Sequence, residues 1–231
     1  MNNTHNIIIH THLGMGDMFI CNGLIRKLIS ESDYENYYVV CKKKYSKTIE
    51  KMYLDEEKIT VVSIDGNNEY QEVRDLNIQG AMLRIGHEHL NYNRNFDESF
   101  YEQLGYRIED KFKWCKISRN DSQETECHKE EVKNEEYIFV HDKSSVGEFE
   151  LKIKTDYDVV KPNNMDYDVV DYLKVIENAK EIHCLDSSFL NMIDVVPTTT
   201  PCFFHRIKNT QFPTISKKWK VVNYDEVMQN D

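Results

Sequence analysis

The sequence lacks any apolar run of the ~18 residues that a membrane-spanning helix needs. Its first residues, Met1-Asn-Asn-Thr-His5, also lack a basic segment followed by a long apolar stretch, so no secretory signal is expected. The sequence also has fewer basic than acidic residues, with 29 Lys and Arg against 40 Asp and Glu and a net charge of −11. Because nonspecific nucleic-acid binding depends on Lys and Arg that neutralise phosphates, we expect no nucleic-acid partner. The sequence therefore predicts a cytoplasmic protein without a transmembrane segment, in which a local basic pocket could still hold a small phosphorylated ligand.

Patterns typical of zinc sites and disulfide frameworks are missing too. None of the six cysteines is spaced as C-x-x-C, which argues against either kind of cysteine-based scaffold. Four cysteines lie inside apolar segments, and we expect them to be reduced, partly buried thiols: Cys21, Cys41, Cys184 and Cys202. The G-K-[ST] signature is also absent, which excludes a P-loop nucleotide-binding site.

What the sequence does contain is a regular alternation of strand-like and helix-like segments. Hydrophobic residues make up 40% of the chain, which argues against disorder. Short β-branched or aromatic runs predict strands at 6–10, 37–41, 59–64, 81–85, 137–141, 158–161, 181–185, 201–205 and 219–222. Apolar spacings of three and four predict helices from residue 17 and over 43–53, 96–104, 168–179, 187–193 and 224–229. This alternation is typical of an α/β fold with parallel sheets and helices on both faces.

A polar segment divides this alternation into two blocks. Residues 120–136 carry many charges and almost no apolar side chains, so we predict a linker at 126–135. The blocks on either side, 1–125 and 136–231, predict two small Rossmann-like domains that face a cleft. The alternative is one larger doubly wound domain with a surface insertion at 120–136.

The first candidate site joins the first strand to the first helix, in His10-Thr-His-Leu-Gly-Met-Gly-Asp17. Ligands of open α/β sheets bind beyond the carboxyl ends of the strands, where this loop would lie. Gly14 and Gly16 permit close backbone approach and positive φ angles, and free N–H groups at the helix start favour the Asp17 carboxylate. The simpler interpretation is a tight turn with Asp17 as a cap. The loop is a poor dinucleotide fingerprint, because Phe19 occupies the position of the third glycine.

His10 and His12 in the same loop raise an alternative, a metal-dependent hydrolase. Two histidines one residue apart in an extended segment point the same way and can share an ion. A metal site needs further ligands on later strand ends, and the sequence contains no second matching cluster. Four other histidines have no spacing that indicates chemistry: His87, His89, His128 and His183. Because His183 lies inside an apolar strand, it predicts a buried, hydrogen-bonded core residue.

The second candidate site follows the first strand of the second block, in His141-Asp-Lys-Ser-Ser145. The Lys143 ammonium, the hydroxyls of Ser144 and Ser145 and nearby backbone amides suit a diphosphate. The simpler interpretation is a solvated polar loop.

The third candidate site is Leu185-Asp-Ser-Ser188, between a strand and a helix. Asp186 or Ser187 should cap the helix, and the exposed N–H groups there can hold a phosphate. Because this loop and the second site follow strands of the same block, they could converge on one ligand. Beyond the next strand, Arg206 and Lys208 offer two more cations, or simply a solvated basic loop.

Three of these segments together resemble a known family. Gly14-Met-Gly-Asp17 before an amphipathic helix resembles the N-terminal G-x-G-D motif of the heptosyltransferase-like, family 9-like glycosyltransferases of GT-B architecture. The helix and strand over 168–188 resemble the run that leads to their Asp-Ser donor-binding turn. The strand and loop at 137–145 are similar in position to the phosphate loop that opens their second domain. Two positions differ from the family's Asp-Ser-Gly-x-x-His pattern, because Ser188 replaces the glycine and Asn191 the histidine.

The resemblance implies an acceptor-side N-terminal domain and a donor-side C-terminal domain. Asp17 would be the base that deprotonates the acceptor hydroxyl in an inverting transfer, and His12 would orient Asp17 or contact the acceptor. No metal or other cofactor is then required, because fixed donors hold the leaving diphosphate. The residues assigned to donor and phosphate binding are Gly14, Gly16, His141, Lys143, Ser144, Ser145, Asp186, Ser187, Ser188 and Arg206.

The leading hypothesis is therefore a metal-independent glycosyltransferase that moves a sugar from a nucleotide-diphosphate donor to a hydroxyl acceptor on a glycan or another molecule. The replaced glycine and histidine motivate a first alternative, a catalytically silent module that binds a nucleotide sugar or glycan. The metal-dependent hydrolase built on His10 and His12 is the second alternative.

Overall fold

The chain divides into two compact units, Met1–Ser118 and Arg119–Asp231, each built on its own parallel sheet. The computed structural model describes residues 5–87, 95–145, 147–207 and 212–224. His89, Lys208 and all but the first residue of the predicted helix over 224–229 lie outside the described residues. We describe the two units separately.

The first unit contains a four-stranded parallel sheet in the order β3-β2-β1-β4. Its strands are β1 (Asn6–His10), β2 (Asn36–Lys42), β3 (Ile59–Ile64) and β4 (Ala81–Arg84). The register pairs Ile8 of the central strand with Tyr38 on one side and Met82 on the other. All four strands lie where the β-branched runs predict them, to within one residue at each end.

In the described part of this unit, five α-helices connect or flank these strands. They are α1 (Met15–Glu31), α2 (Ser46–Met52), α3 (Glu69–Asp75), α4 (Phe96–Glu102) and α5 (Glu109–Trp114), and a 3₁₀ turn over Lys43–Tyr45 precedes α2. The predicted apolar face of α1 is buried, including Phe19, Leu24 and Ile25. The short helices α3 and α5 were not predicted, because their sequences are mostly charged and show little apolar period.

The second unit contains a five-stranded parallel sheet in the order β11-β10-β9-β5-β8 and a small antiparallel hairpin. The sheet strands are β5 (Tyr137–His141), β8 (Asp158–Val160), β9 (Ile182–Cys184), β10 (Cys202–Arg206) and β11 (Trp219–Asn223), and the hairpin pairs β6 (Lys143–Ser144) with β7 (Gly147–Glu148). Its helices are α6 (Asp121–Glu131), α7 (Leu173–Asn178), which follows a 3₁₀ turn over Val169–Tyr172, and α8 (Ser188–Val195).

The segment predicted as a linker, 126–135, is instead largely helical. It lies mostly within α6, which packs against α7 and buries Cys127 completely. The helix begins where the Asn120 side chain accepts a hydrogen bond from the Gln123 amide at 3.2 Å. Composition alone did not reveal this helix, because its anchors are a single buried thiol and charged groups rather than an apolar stripe.

Arg119 ties α6 to α7 and places the start of the second unit before the helix. Its guanidinium donates to Glu124 of α6 at 2.7 Å and to Glu177 of α7 at 2.7 Å. The boundary between the units accordingly falls between Ser118 and Arg119. The roles assigned to the blocks 1–125 and 136–231 stay a prediction.

None of the six cysteines, all of which lie in the described residues, is in a disulfide bond, and the four that were expected to be partly buried are buried: Cys21, Cys41, Cys184 and Cys202. Within the described residues, no helix combines the length and the apolar character that crossing a membrane would take.

Each sheet has one point where the order of its strands reverses direction. In the first unit the chain moves from β1 outward to β3 and then returns to the other side of β1 as β4. In the second unit it moves from β5 to β8 and then returns past β5 as β9. Crevices at such points, beyond the carboxyl ends of the strands, are where open α/β sheets bind ligands. The β1–β4 and β5–β9 crevices are therefore the places to look for sites.

Candidate functional site

The β1–β4 crevice contains the start of α1 with Gly14 and Asp17. Gly14 is the N-cap of α1, with φ −72°, and Asp17 lies in the first turn. A Cβ at Gly14 would lie 2.6 Å from Asp17 Oδ2, so the carboxylate folds back over the space that the missing side chain leaves. Gly16 lies inside the helix. Neither glycine adopts the positive φ that its type permits, whereas the close approach that glycine also permits occurs at Gly14.

Three histidines meet in this crevice, although only two of them were predicted to be neighbours. The His87 ring lies 4.5 Å from the His10 ring and 5.0 Å from the His12 ring. His87 Nε2 is 3.1 Å from the Thr11 carbonyl oxygen, and the preceding Gly86 has φ +79°. Sequence reasoning missed His87, because its proximity follows from the pairing of β1 with β4 and not from any local spacing.

His10 is the most deeply buried of the three. It is 1% exposed, and neither ring nitrogen has a hydrogen-bond partner among the described residues. Glu69 Oε2 lies 3.8 Å from its Nε2. Burial, followed by the charge of His87, lowers its pKa from 6.5 to about 4, although Glu69 acts in the opposite direction. The imidazole is therefore neutral at pH 7.

Acidification should destabilise the protein through His10. A group whose pKa is lower in the folded state leaves the unfolded chain binding more protons between about pH 6.5 and 4, so stability is lost as pH falls through that window. A shift of this size corresponds to at most about 3 kcal/mol. We expect the thermal midpoint of His10→Leu to fall less between pH 7.5 and pH 4.5 than that of the wild type. Replacement of the exposed His5 by Leu is the control, and equal pH dependence in all three proteins would contradict the assignment.

Among the described residues of this crevice, the metal-dependent alternative finds no ligand set. His10 is buried, and His12 packs edge-on against Phe100 at 5.3 Å as well as against His87. In the part of the chain that the structure describes, no group of three or more His, Cys, Asp or Glu side chains is arranged to hold a metal ion.

The β5–β9 crevice brings the second and third candidate sites together. His141 at the end of β5 places Nδ1 2.9 Å from Ser187 Oγ. Ser187, one of the two residues predicted to cap α8, is its N-cap and accepts from the Leu190 amide at 3.3 Å. The two loops therefore converge at the amino end of a helix, where backbone N–H groups favour a phosphate.

Burial sets the protonation of two groups in this crevice. It lowers the pKa of His141 from 6.5 to about 4, assisted by the charge of Lys143 and opposed by Asp142, so His141 is neutral at pH 7. Burial also raises the pKa of Asp186 from 3.8 to about 6. A neutral imidazole can donate one hydrogen bond, and a carboxylate that titrates near neutrality can do so once protonated.

The remaining residues of the second site lie on the β6–β7 hairpin. Lys143 is about half exposed, and its ammonium donates to Asn163 Oδ1 at 3.1 Å and lies 3.6 Å from Glu148 Oε2. Ser144 pairs with Gly147 across the hairpin, and Ser145 is in its turn. These contacts hold Lys143 in a structured hairpin rather than in the open polar loop that the sequence predicts.

Arg206 ends β10, and its guanidinium lies 4.4 Å from the centre of the Phe212 ring. Ser188 is the first residue of α8, and Asn191, one turn further on, is buried. The helix that contains Asn191 therefore starts directly from the His141–Ser187 contact.

Two parallel sheets, each with a crevice at its switch point, define an α/β protein of GT-B-like architecture. The fold is shared with the family 9 glycosyltransferase of Veillonella parvula DSM 2008, at a TM-score of 0.65 and 10% identity over 96% of this chain and 88% of that one. It is also shared with E. coli ADP-heptose LPS heptosyltransferase II, at a TM-score of 0.66 and 11% identity over 97% of this chain and 94% of that one. No family model matches the sequence, and no curated protein matches it. At this identity the likeness is one of fold, and it confirms the architecture that the resemblance implied.

Proposed function

We propose that this chain is a nucleotide-sugar glycosyltransferase that inverts the anomeric centre without a metal ion. The observation that supports it most is the contact of His141 with Ser187 at the start of α8, in a chain whose structural neighbours are glycosyltransferases. That junction supplies what a leaving diphosphate needs, which is a helix amino terminus, a hydroxyl and a neutral imidazole in one crevice.

Each unit has its own task in this proposal. Asp17 of the first unit takes the proton from the acceptor hydroxyl as the oxygen bonds to the anomeric carbon and the bond to the diphosphate breaks. Lys143, Ser187 and the N–H groups of α8 in the second unit stabilise the negative charge on the departing nucleoside diphosphate. The hydroxyl acceptor and the nucleotide sugar are the expected partners.

Lys143 gives the direct test of the donor assignment. Lys143→Ala removes one ammonium from the hairpin, and we expect the dissociation constant of the best-bound nucleoside diphosphate to rise about tenfold, the effect of one charge-assisted hydrogen bond at a partly exposed site. The measurement is calorimetry of the full chain against ADP, UDP, GDP and CDP.

The matched control for Lys143 is Lys133→Ala, which makes the same change of charge at an exposed position of the same unit. Equal affinity in the wild type and both variants would remove Lys143 from the site. A panel of nucleotide sugars then separates the leading hypothesis from the silent module. Donor hydrolysis or transfer supports the enzyme, whereas tight binding without turnover supports the module.

A further inference from the structure

A chain of hydrogen bonds runs through the second unit outside the His141–Ser187 contact. Glu181 Oε2 lies 3.0 Å from His183 Nε2, and His183 Nδ1 lies 2.9 Å from His205 Nε2. His205 Nδ1 lies 2.9 Å from the Tyr224 hydroxyl, which in turn accepts from the Lys152 amide at 2.9 Å. We call the side chains of Glu181, His183, His205 and Tyr224 the relay.

The chemistry of its ends fixes the direction of the relay. The Glu181 carboxylate only accepts, so a neutral His183 donates to it from Nε2 and accepts at Nδ1. A neutral His205 then donates to His183 from Nε2 and accepts at Nδ1 from the Tyr224 hydroxyl, whose oxygen accepts from the Lys152 amide. This single arrangement of protons satisfies every donor and acceptor with both imidazoles neutral. Burial favours the same state, because it lowers the pKa of His183 and brings that of His205 to about 4.

The relay lies on one face of the five-stranded sheet. The register pairs His183 with Phe203, so His205, two residues further along β10, shares their face. The two rings of His183 and Phe203 stack at 4.7 Å with an interplanar angle of 7°. Val140 of β5 pairs with His183 and belongs to the same face.

A non-helical segment that we call the strap, residues 149–155, covers part of this face. The β8–β9 connection contains α7 and the β9–β10 connection contains α8, and both run along the strand order towards β11. The β5–β8 connection, which contains the strap, runs in the opposite direction. Right-handed crossovers therefore place the strap on the face opposite those helices. Beneath it is a cavity of about 380 Å³, lined by the strap and by Val140, Asp142, Val159 and Lys161.

Hydrogen bonds at its start and in its middle connect the strap to other parts of the unit. At its start the Phe149 amide donates to the Asp142 carbonyl oxygen at 2.9 Å, and in its middle the Lys152 amide donates to Tyr224. Asp142 directly follows His141, so the strap continues from the loop assigned to the donor. The hydrogen bond from Phe149 to Asp142 therefore connects the strap with that loop, and residues of both line the cavity.

We propose that Tyr224 is a positioning residue whose hydroxyl, oriented by His205 and His183, pins the strap over the cavity beside the donor loop and so sets the affinity for the nucleoside diphosphate. The pinning stands on geometry alone. The effect on the ligand rests on the proposed function.

Hydrogen exchange of the Lys152 amide in the full chain tests the pinning. Tyr224→Phe removes one ordinary hydrogen bond, and we expect exchange there to become about tenfold faster. Tyr157→Phe is the control, because it makes the same change at a half-exposed ring near the strap and should leave the rate unchanged. Unchanged exchange in Tyr224→Phe would overturn the proposal.

Two nearly isosteric variants of His205 test the orientation of the hydroxyl. His205→Asn retains an acceptor near the position of Nδ1 and should keep the Lys152 amide protected, whereas His205→Leu should release it. In the Tyr224→Phe background, His205→Leu should add no further acceleration. Equal exchange rates for His205→Asn and His205→Leu, or additive effects in the double variant, would show that His205 does not act through Tyr224.

Calorimetry with ADP, UDP, GDP and CDP tests the effect on the ligand. Tyr224→Phe should raise the dissociation constant of the best-bound nucleotide three- to tenfold. If the wild type binds none of them, the proposed function fails while the exchange result still decides the pinning. If the wild type binds and Tyr224→Phe leaves the constant unchanged, the role in affinity is overturned.

Discussion

Asp17→Asn should abolish sugar transfer and leave nucleotide binding intact. The substitution keeps the size of the side chain above Gly14 and removes its ability to take a proton. Loss of a general base lowers rates by about 10²- to 10⁴-fold, and this is the range we expect for transfer from the best donor. The affinity for the nucleoside diphosphate should stay within about twofold of wild type, because a base acts on the acceptor. Initial rates and calorimetry on the same preparations measure the two quantities.

The control for Asp17 is Asp33→Asn, an identical change at an exposed position beyond the end of α1. Asp17→Glu is informative as well, since it restores the carboxylate at a displaced position and should recover part of the activity. Full activity in Asp17→Asn would remove Asp17 from the role of base, whereas lost nucleotide binding would place it in the donor site instead.

Lys111→Met should cause the largest loss of stability in the first unit. The Lys111 ammonium of α5 and the Asp97 carboxylate of α4 are both 0% exposed, and Nζ lies 3.2 Å from Oδ2. Removal of one partner leaves the other charge buried, which costs about 3–5 kcal/mol. For a chain of this size each kcal/mol lowers the thermal midpoint by about 2–4 °C, so circular dichroism should detect a large shift.

The double variant Lys111→Met/Asp97→Leu should recover most of that stability, because no uncompensated charge remains in the core. The control is Arg107→Met at the exposed pair of Arg107 and Glu109, where less than about 1 kcal/mol is expected. A double variant as unstable as Lys111→Met would show that the buried pair is itself a net source of stability.

The architecture could be predicted from the sequence because each strand corresponds to a short run of residues that favour extended structure. NIIIH, ITVVSI and YIFVH are β-branched or aromatic runs between polar residues, and they became β1, β3 and β5 with the predicted bounds. Asp186 and Ser187 were recognisable as the two candidate caps for the same reason, since a cap acts within one turn, and the structure has Ser187 in that role.

The features that could not be predicted depend on residues distant in the sequence. His87 reaches His10 because β4 returns to the far side of β1, a choice of strand order that local pattern does not encode. Lys143 is held by Asn163, which follows a different strand. The relay likewise joins β9 and β10 to Tyr224, which directly follows β11, and no spacing within the sequence connects these residues with Lys152 of the strap.

Helix α6 also determines at which residue a fragment that contains the second unit should begin. A fragment that starts at residue 136 would lose α6, which packs against α7. A fragment that starts at Arg119 keeps α6 and the hydrogen bonds from the Arg119 guanidinium to Glu124 and Glu177. The stretch with the most linker-like composition is therefore an integral part of the second unit. In exchanges of units between related chains, a joint between Ser118 and Arg119 keeps α6 together with α7.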